Sequence, residues 1–92
     1  MQTEKLIRIG NEEYIIKRWK FKEKIELYKR AAKLDRSGRI KELDIGEFMI
    51  NAIVLGVKEP QLTREDVENM DAAVAERLFN EIIIFNAIPF QQ

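Results

Sequence analysis

Between Asp44 and Gly56 the chain has almost no polar face: of residues 45–55, only Gly46, Glu47 and Asn51 are not apolar. A helix that is apolar nearly all round is buried, so this one is expected at the centre of the fold with other elements covering it. Its ends are marked locally. Asp44 reads as an N-cap, with Glu47 three residues on as a capping-box-like partner, and Gly56 closes the helix. The chain has 92 residues. A chain of that length builds one core, so the rest of the sequence must supply the cover.

The cover is legible in outline. Residues 4–9 and 13–19 have β-compatible alternation on either side of Gly10-Asn11-Glu12, where Gly10 and Asn11 suit a hairpin turn. A lone hairpin is marginal in water, so it must lie on helices, with Trp19 near the seam. A first helix is expected over about 21–34, with Phe21, Ile25, Tyr28 and Ala32 on one face, widened by Leu27, Ala31 and Leu34. Residues 36–43 read as a polar, basic connection containing Ser37, the sole serine. After the central helix (about 45–55), Thr63 caps a short helix over about 64–69, with Asp66 at its third position. Asp71 caps a last helix, about 72–85, whose main stripe is Val74, Leu78, Ile82 and Phe85, with Ala75, Phe79 and Ile83 on an adjacent face. Residues 86–92, containing Pro89, are expected to leave the helix as a tail. The predicted fold is α+β: an N-terminal β-hairpin packed on a small bundle of three to four α-helices, one domain over 1–92.

Composition narrows the chemistry. The chain has no cysteine and no histidine. Disulfides, thiolate zinc sites and Ser-His or Cys-His nucleophilic machinery are therefore excluded. The four glycines, Gly10, Gly38, Gly46 and Gly56, stand too far apart for a phosphate-cradling loop. Glu65, Asp66, Glu68 and Asp71 form an acidic cluster, but without calcium-loop spacing, and helix starts favour the same residues. An enzyme working with carboxylates and lysines alone would need a cleft that so small a chain offers little room for. No catalytic, metal or cofactor residue is assigned. No apolar run approaches the ~20 residues of a membrane span. The expectation is a soluble resident of a cytoplasm.

Two surfaces remain as candidates for binding. Residues 1–46 hold 13 Lys/Arg and 8 Asp/Glu, a net +5, and residues 47–92 hold 3 Lys/Arg and 8 Asp/Glu, a net −5. The halves either offset each other within the fold or present a basic face to an acidic partner or nucleic acid. Lys17, Arg18, Lys20, Lys22 and Lys24, interleaved with Trp19 and Phe21, are that possible basic face. Bases could stack on the two aromatics. The simpler alternative turns both aromatics inward. The second candidate comes from the run Ile82-Ile83-Ile84-Phe85. Four consecutive large apolar residues on a helix cannot all face one core, so Ile83 or Ile84 projects beyond it, covered by the tail or by another chain. With Phe48 and Phe79, Ile83 and Ile84 are the candidate partner contacts.

The opening hairpin, the amphipathic helix after an aromatic-basic junction, the central apolar helix and the segment Val57-Lys58-Glu59-Pro60-Gln61-Leu62-Thr63-Arg64-Glu65-Asp66-Val67 together resemble the tail assembly chaperones of long-tailed bacteriophages and prophages. In that family a Glu-Pro-x-Leu-Thr-x-Glu-Asp segment joins two helices and a final helix follows, as Asp71–Leu78 does here. The resemblance implies a non-enzymatic protein that binds the long helical tape-measure protein during tail morphogenesis. It implies no catalytic positions. This reading predicts an exposed apolar strip along the second and fourth helices and self-association into a homo-oligomer. Two other readings stand beside it: a nucleic-acid-binding accessory protein using the basic half, and a small structural tail or connector protein.

Overall fold

The computed structural model describes residues 2–87. In chain order the elements are β1 (Glu4–Ile9), β2 (Glu12–Lys17), α1 (Phe21–Ala31), β3 (Ala32–Leu34), β4 (Ile40–Leu43), α2 (Ile45–Gly56), β5 (Val57–Glu59), α3 (Arg64–Glu68) and α4 (Ala72–Ala87). The architecture is α+β, an N-terminal antiparallel hairpin with four helices, as the sequence pattern predicts.

The hairpin turns at Gly10-Asn11, where Gly10 takes a φ of +61°, the positive value that a Gly-first primed turn requires. Register sets its faces. Ile7 lies opposite Tyr14, and both are buried together with Ile16. Leu6 lies opposite Ile15 on the other face, with Leu6 61% exposed. The sheet has a third member that the periodicity does not reveal. β5 runs antiparallel to β2, with Val57 opposite Ile16, giving the order β1-β2-β5. Three residues are too few for an alternation to register, and they follow α2 directly.

α2 is central as expected, packing against α1, α3, α4 and β5. The core joins Ile7, Tyr14 and Ile16 of the hairpin to Ile53, Val57, Val67, Leu78 and Ile82. Gly56 lies directly against Ile82: a Cβ placed there would stand 2.7 Å from Ile82 Cγ2. That close approach, as much as the end of a helix, accounts for the glycine.

Local capping follows the sequence closely. Asp44 Oδ1 accepts the Glu47 N–H at 3.0 Å. Thr63 Oγ1 accepts the Asp66 N–H, and Asp66 Oδ2 accepts the Thr63 N–H, closing a reciprocal box. Asp71 Oδ2 accepts the Val74 N–H at the start of α4. Glu47 departs from its expected part. Its carboxylate does not reach back to the cap but turns sideways to Arg64, at 2.6 Å on each oxygen, and to Asn51. An Arg fork outcompetes one backbone N–H for a carboxylate, because both partners are ionised and two bonds form at once.

Three expectations are corrected. α1 ends at Ala31, not near residue 34, and the presumed loop contains a second hairpin, β3–β4. Its turn is organised by Asp35, whose Oδ1 accepts from the Ser37 N–H, the Ser37 hydroxyl and the Arg39 N–H. The Ser37 hydroxyl, with the surrounding backbone N–H groups, holds the Asp35 carboxyl below the usual carboxylate range. Secondly, the presumed tail does not begin at residue 86: α4 runs on to Ala87. Asn86 is held there by accepting the Trp19 N–H (2.7 Å) and donating to the carbonyls of Lys17 and Ile82. The remainder of that tail, 88–92, lies outside the described residues. Thirdly, Phe21 does not point inward. It is 78% exposed, while Trp19 is half-buried against the core.

Candidate functional site

The apolar arc of α1 is wider than one face can bury. Leu27 and Ala31 are fully buried on the body of the protein. Phe21, Ile25 and Tyr28, spaced i, i+4 and i+7, form the other edge of the arc and remain 78%, 43% and 45% exposed. At this site, the sequence periodicity identifies an amphipathic helix, and the packing against α2 decides which edge of its stripe is covered.

β3–β4 continues that edge. Ala32 pairs with Leu43, and Leu34 with Ile40, across the hairpin. Alternation along β3 puts Ala32 and Leu34 on one face, and the register shift at Lys33/Leu34 brings Ile40, three residues from Leu43, opposite Leu34 on that same face. The opposite face carries Lys33 and Glu42, an ion pair at 3.8 Å. Leu34 and Ile40 are 60% and 62% exposed, and among the described residues no other element packs extensively on this two-stranded sheet. Its base is tied down by the Asp44 N–H donating to the Ala31 carbonyl at 2.8 Å. Ile45, the first residue of α2, is also exposed. The radius of gyration is 14.0 Å, against about 12 Å expected for this length.

The strip meets the interior through an aromatic row. The Tyr28 and Phe48 rings stand 5.3 Å apart, and Phe48 meets Phe79 edge-on at 6.1 Å. Phe48 and Phe79, two of the predicted partner contacts, are therefore brought together, half-buried, behind Tyr28. Ile83 is half-buried one turn beyond Phe79 on α4, and Ile84 is exposed. Among the described residues the exposed large apolar side chains thus concentrate on α1 and the second hairpin, with Ile45 on α2 and Ile84 on α4. The expected strip along the second and fourth helices is displaced accordingly. An irregular hairpin with a register shift at Lys33/Leu34 hides its period from a sequence reading, which is why the pattern places Leu34 on the first helix and Ile40 and Leu43 in a connection.

The five residues of the possible basic face divide. Lys17 is half-buried and bonded to Glu23 at 3.1 Å. Burial pushes the Glu23 carboxyl up, but the Lys20 N–H and the Lys17 ammonium outweigh it and hold the group below its ordinary value. Arg18 lies over the Phe85 ring at 5.0 Å and donates to the Gln2 carbonyl. Lys20, Lys22 and Lys24 are exposed. The acidic cluster is dispersed into structural duties: Asp66 and Asp71 cap helices and Glu68 pairs with Arg64. Among the described residues no three acidic side chains come together as a metal site would need. Nor is any helix there long and apolar enough to cross a membrane. A shallow depression of about 480 Å³ on the outer face of the first sheet, lined by Leu6, Glu13, Ile15, Lys58 and Glu59, holds no arrangement of acid, base and nucleophile.

Compared with known protein families, curated proteins and solved structures, the chain finds no match.

Proposed function

We propose that this protein is a non-enzymatic binding protein of the tail-assembly-chaperone kind, holding an apolar helical stretch of a tape-measure protein in the host cytoplasm while the tail is built. The observation that carries the reading is the bare apolar strip of α1 and β3–β4, running from Phe21 through Tyr28 to Leu34 and Ile40. A monomer leaves patches of ~300–600 Å2 at most without a partner, and larger ones mark interaction sites. Seven large apolar side chains of α1, the second hairpin and the first turn of α2 are each at least 40% exposed. The segment leading into α3, Glu59–Asp66, supports the more specific part of the reading by its sequence alone.

The test is co-expression with a tape-measure protein from a neighbouring gene. The expected result is that the tape-measure protein stays in the soluble fraction and co-purifies at both low and high salt. Recovery of nucleic acid alone, with the tape-measure protein still insoluble, would sink the proposal and favour the accessory-protein reading. Retention in finished particles would favour a connector.

A further inference from the structure

The charge around the strip narrows what can cover it. Residues 20–43, which contain α1 and the second hairpin, hold nine Lys/Arg and four Asp/Glu, a net +5, so the rest of the chain is −5. The acidic members here are already engaged: Glu23 with Lys17, Glu26 with Arg30, Glu42 with Lys33 and Asp35 with its own turn. Among the described residues Lys22, Lys24, Lys29, Arg36 and Lys41 form no ion pair, and all are exposed. The two halves therefore do not cancel within the chain at this surface, and an apolar strip lies bare inside a rim of uncompensated cations.

A second copy placed face to face would set +5 against +5, and like charges juxtaposed across an interface cost several kcal/mol. Nucleic acid would satisfy the rim, but stacking needs aromatic platforms, and five of the seven exposed apolar side chains are aliphatic. The geometry points to a different occupant: an amphipathic helix of another protein with one apolar and one acidic face, docked along α1 and β3–β4. Phe21, Ile25 and Tyr28 form a ridge that packs against a helix groove, and Leu34 and Ile40 extend it. An 11-residue helix followed by a three-residue strand spans at most roughly 26 Å, the length of roughly 17 helical residues. This assignment rests on the binding-protein reading above and gives it a surface and a ligand chemistry.

The probe is a labelled 18-residue peptide with Leu at i, i+3, i+4 and i+7 and Glu on its remaining face, titrated with the full chain by fluorescence anisotropy. A Lys-for-Glu version serves as its counterpart. The acidic peptide should bind at least ten-fold more tightly than the basic one. Its affinity should weaken several-fold, without vanishing, between 50 and 300 mM salt. Ile40→Asp and Ile25→Asp should each cost ten-fold or more. Both side chains are exposed, so the melting temperature should hold. Lys22→Glu with Lys29→Glu should erase the preference for acidic peptide. Equal affinity for both peptides, no binding of either, or indifference to Ile40→Asp would overturn the inference. So would sedimentation showing a wild-type dimer that Ile40→Asp dissociates, or anionic vesicles that bind in place of the peptide. If Ile40→Asp still keeps a tape-measure protein soluble, the surface is wrong and the function stands. If the peptide binds as expected while the tape-measure protein stays insoluble, the function is wrong and the surface stands.

Discussion

Replacing Gly56 by alanine tests the packing at the centre of the fold. The added Cβ would lie 2.7, 2.9 and 3.1 Å from Ile82 Cγ2, Cδ1 and Cγ1, well inside ordinary carbon–carbon contact. Ile82 is fully buried in the main cluster, so any shift of its side chain is passed to its neighbours. Overpacking of this kind costs ~1–3 kcal/mol. The gain in helix propensity from Gly to Ala, at most ~1 kcal/mol in a helix interior, is smaller at the last helical residue. The net loss should be about 1–2 kcal/mol, a fall in Tm of roughly 5–15 °C for a chain of this size. Thermal and urea melts followed by circular dichroism give the number. The decisive comparison is a double-mutant cycle with Ile82→Ala, which removes all three clashing atoms and by itself costs ~2–5 kcal/mol. In that background Gly56→Ala should cost nothing or stabilise, a coupling of ~1–3 kcal/mol. If Gly56→Ala leaves Tm unchanged, or costs the same with and without Ile82, the reasoning from close approach is refuted.

Asn86→Ala leaves the Trp19 N–H and the Lys17 carbonyl without their partner, so it should cost ~1–3 kcal/mol and speed amide exchange at Trp19; unchanged exchange there would show that the contact is not held in solution. Glu47 is held down to about 2, chiefly by the Arg64 fork and then by Asn51, whereas an unfolded glutamate titrates near ~4.3. The folded state therefore binds its proton later than the unfolded state, and the contribution present above pH ~4.3 is lost as pH falls toward 2. Glu47→Gln should accordingly lower Tm at pH 7 and flatten its decline below pH 4.5 in melts across that range, leaving the residual slope of Glu23, Asp35 and Asp66, whose carboxyls also sit below their ordinary values. Thr63→Ala removes the cap of α3 and should cost ~1 kcal/mol by urea melt, since the Asp66 N–H loses its acceptor.

Features that depend on a few neighbouring residues could be read from the sequence. The turn at Gly10-Asn11, the caps at Asp44, Thr63 and Asp71, the central position of α2 and the buried pair Leu78 and Ile82 all follow from short-range chemistry or a sustained period, and the structure carries each of them. Other features needed tertiary structure. β5 exists because α2 delivers Val57 beside Ile16, forty-one residues earlier in the chain. The Glu47–Arg64 fork and the Asn86 contacts to Lys17 and Trp19 join groups that no local pattern relates. The candidate site shows the same division. The amphipathic stripe of α1 is plain in the sequence, and so is the surplus of apolar residues on the last helix. Which edge of that stripe remains bare depended on Leu27 and Ala31 turning toward α2, because a helix has many apolar side chains but only one line of contact with its neighbour. The irregular ribbon β3–β4 then extended the bare edge, and its cations gave the strip a rim that composition could count but not place.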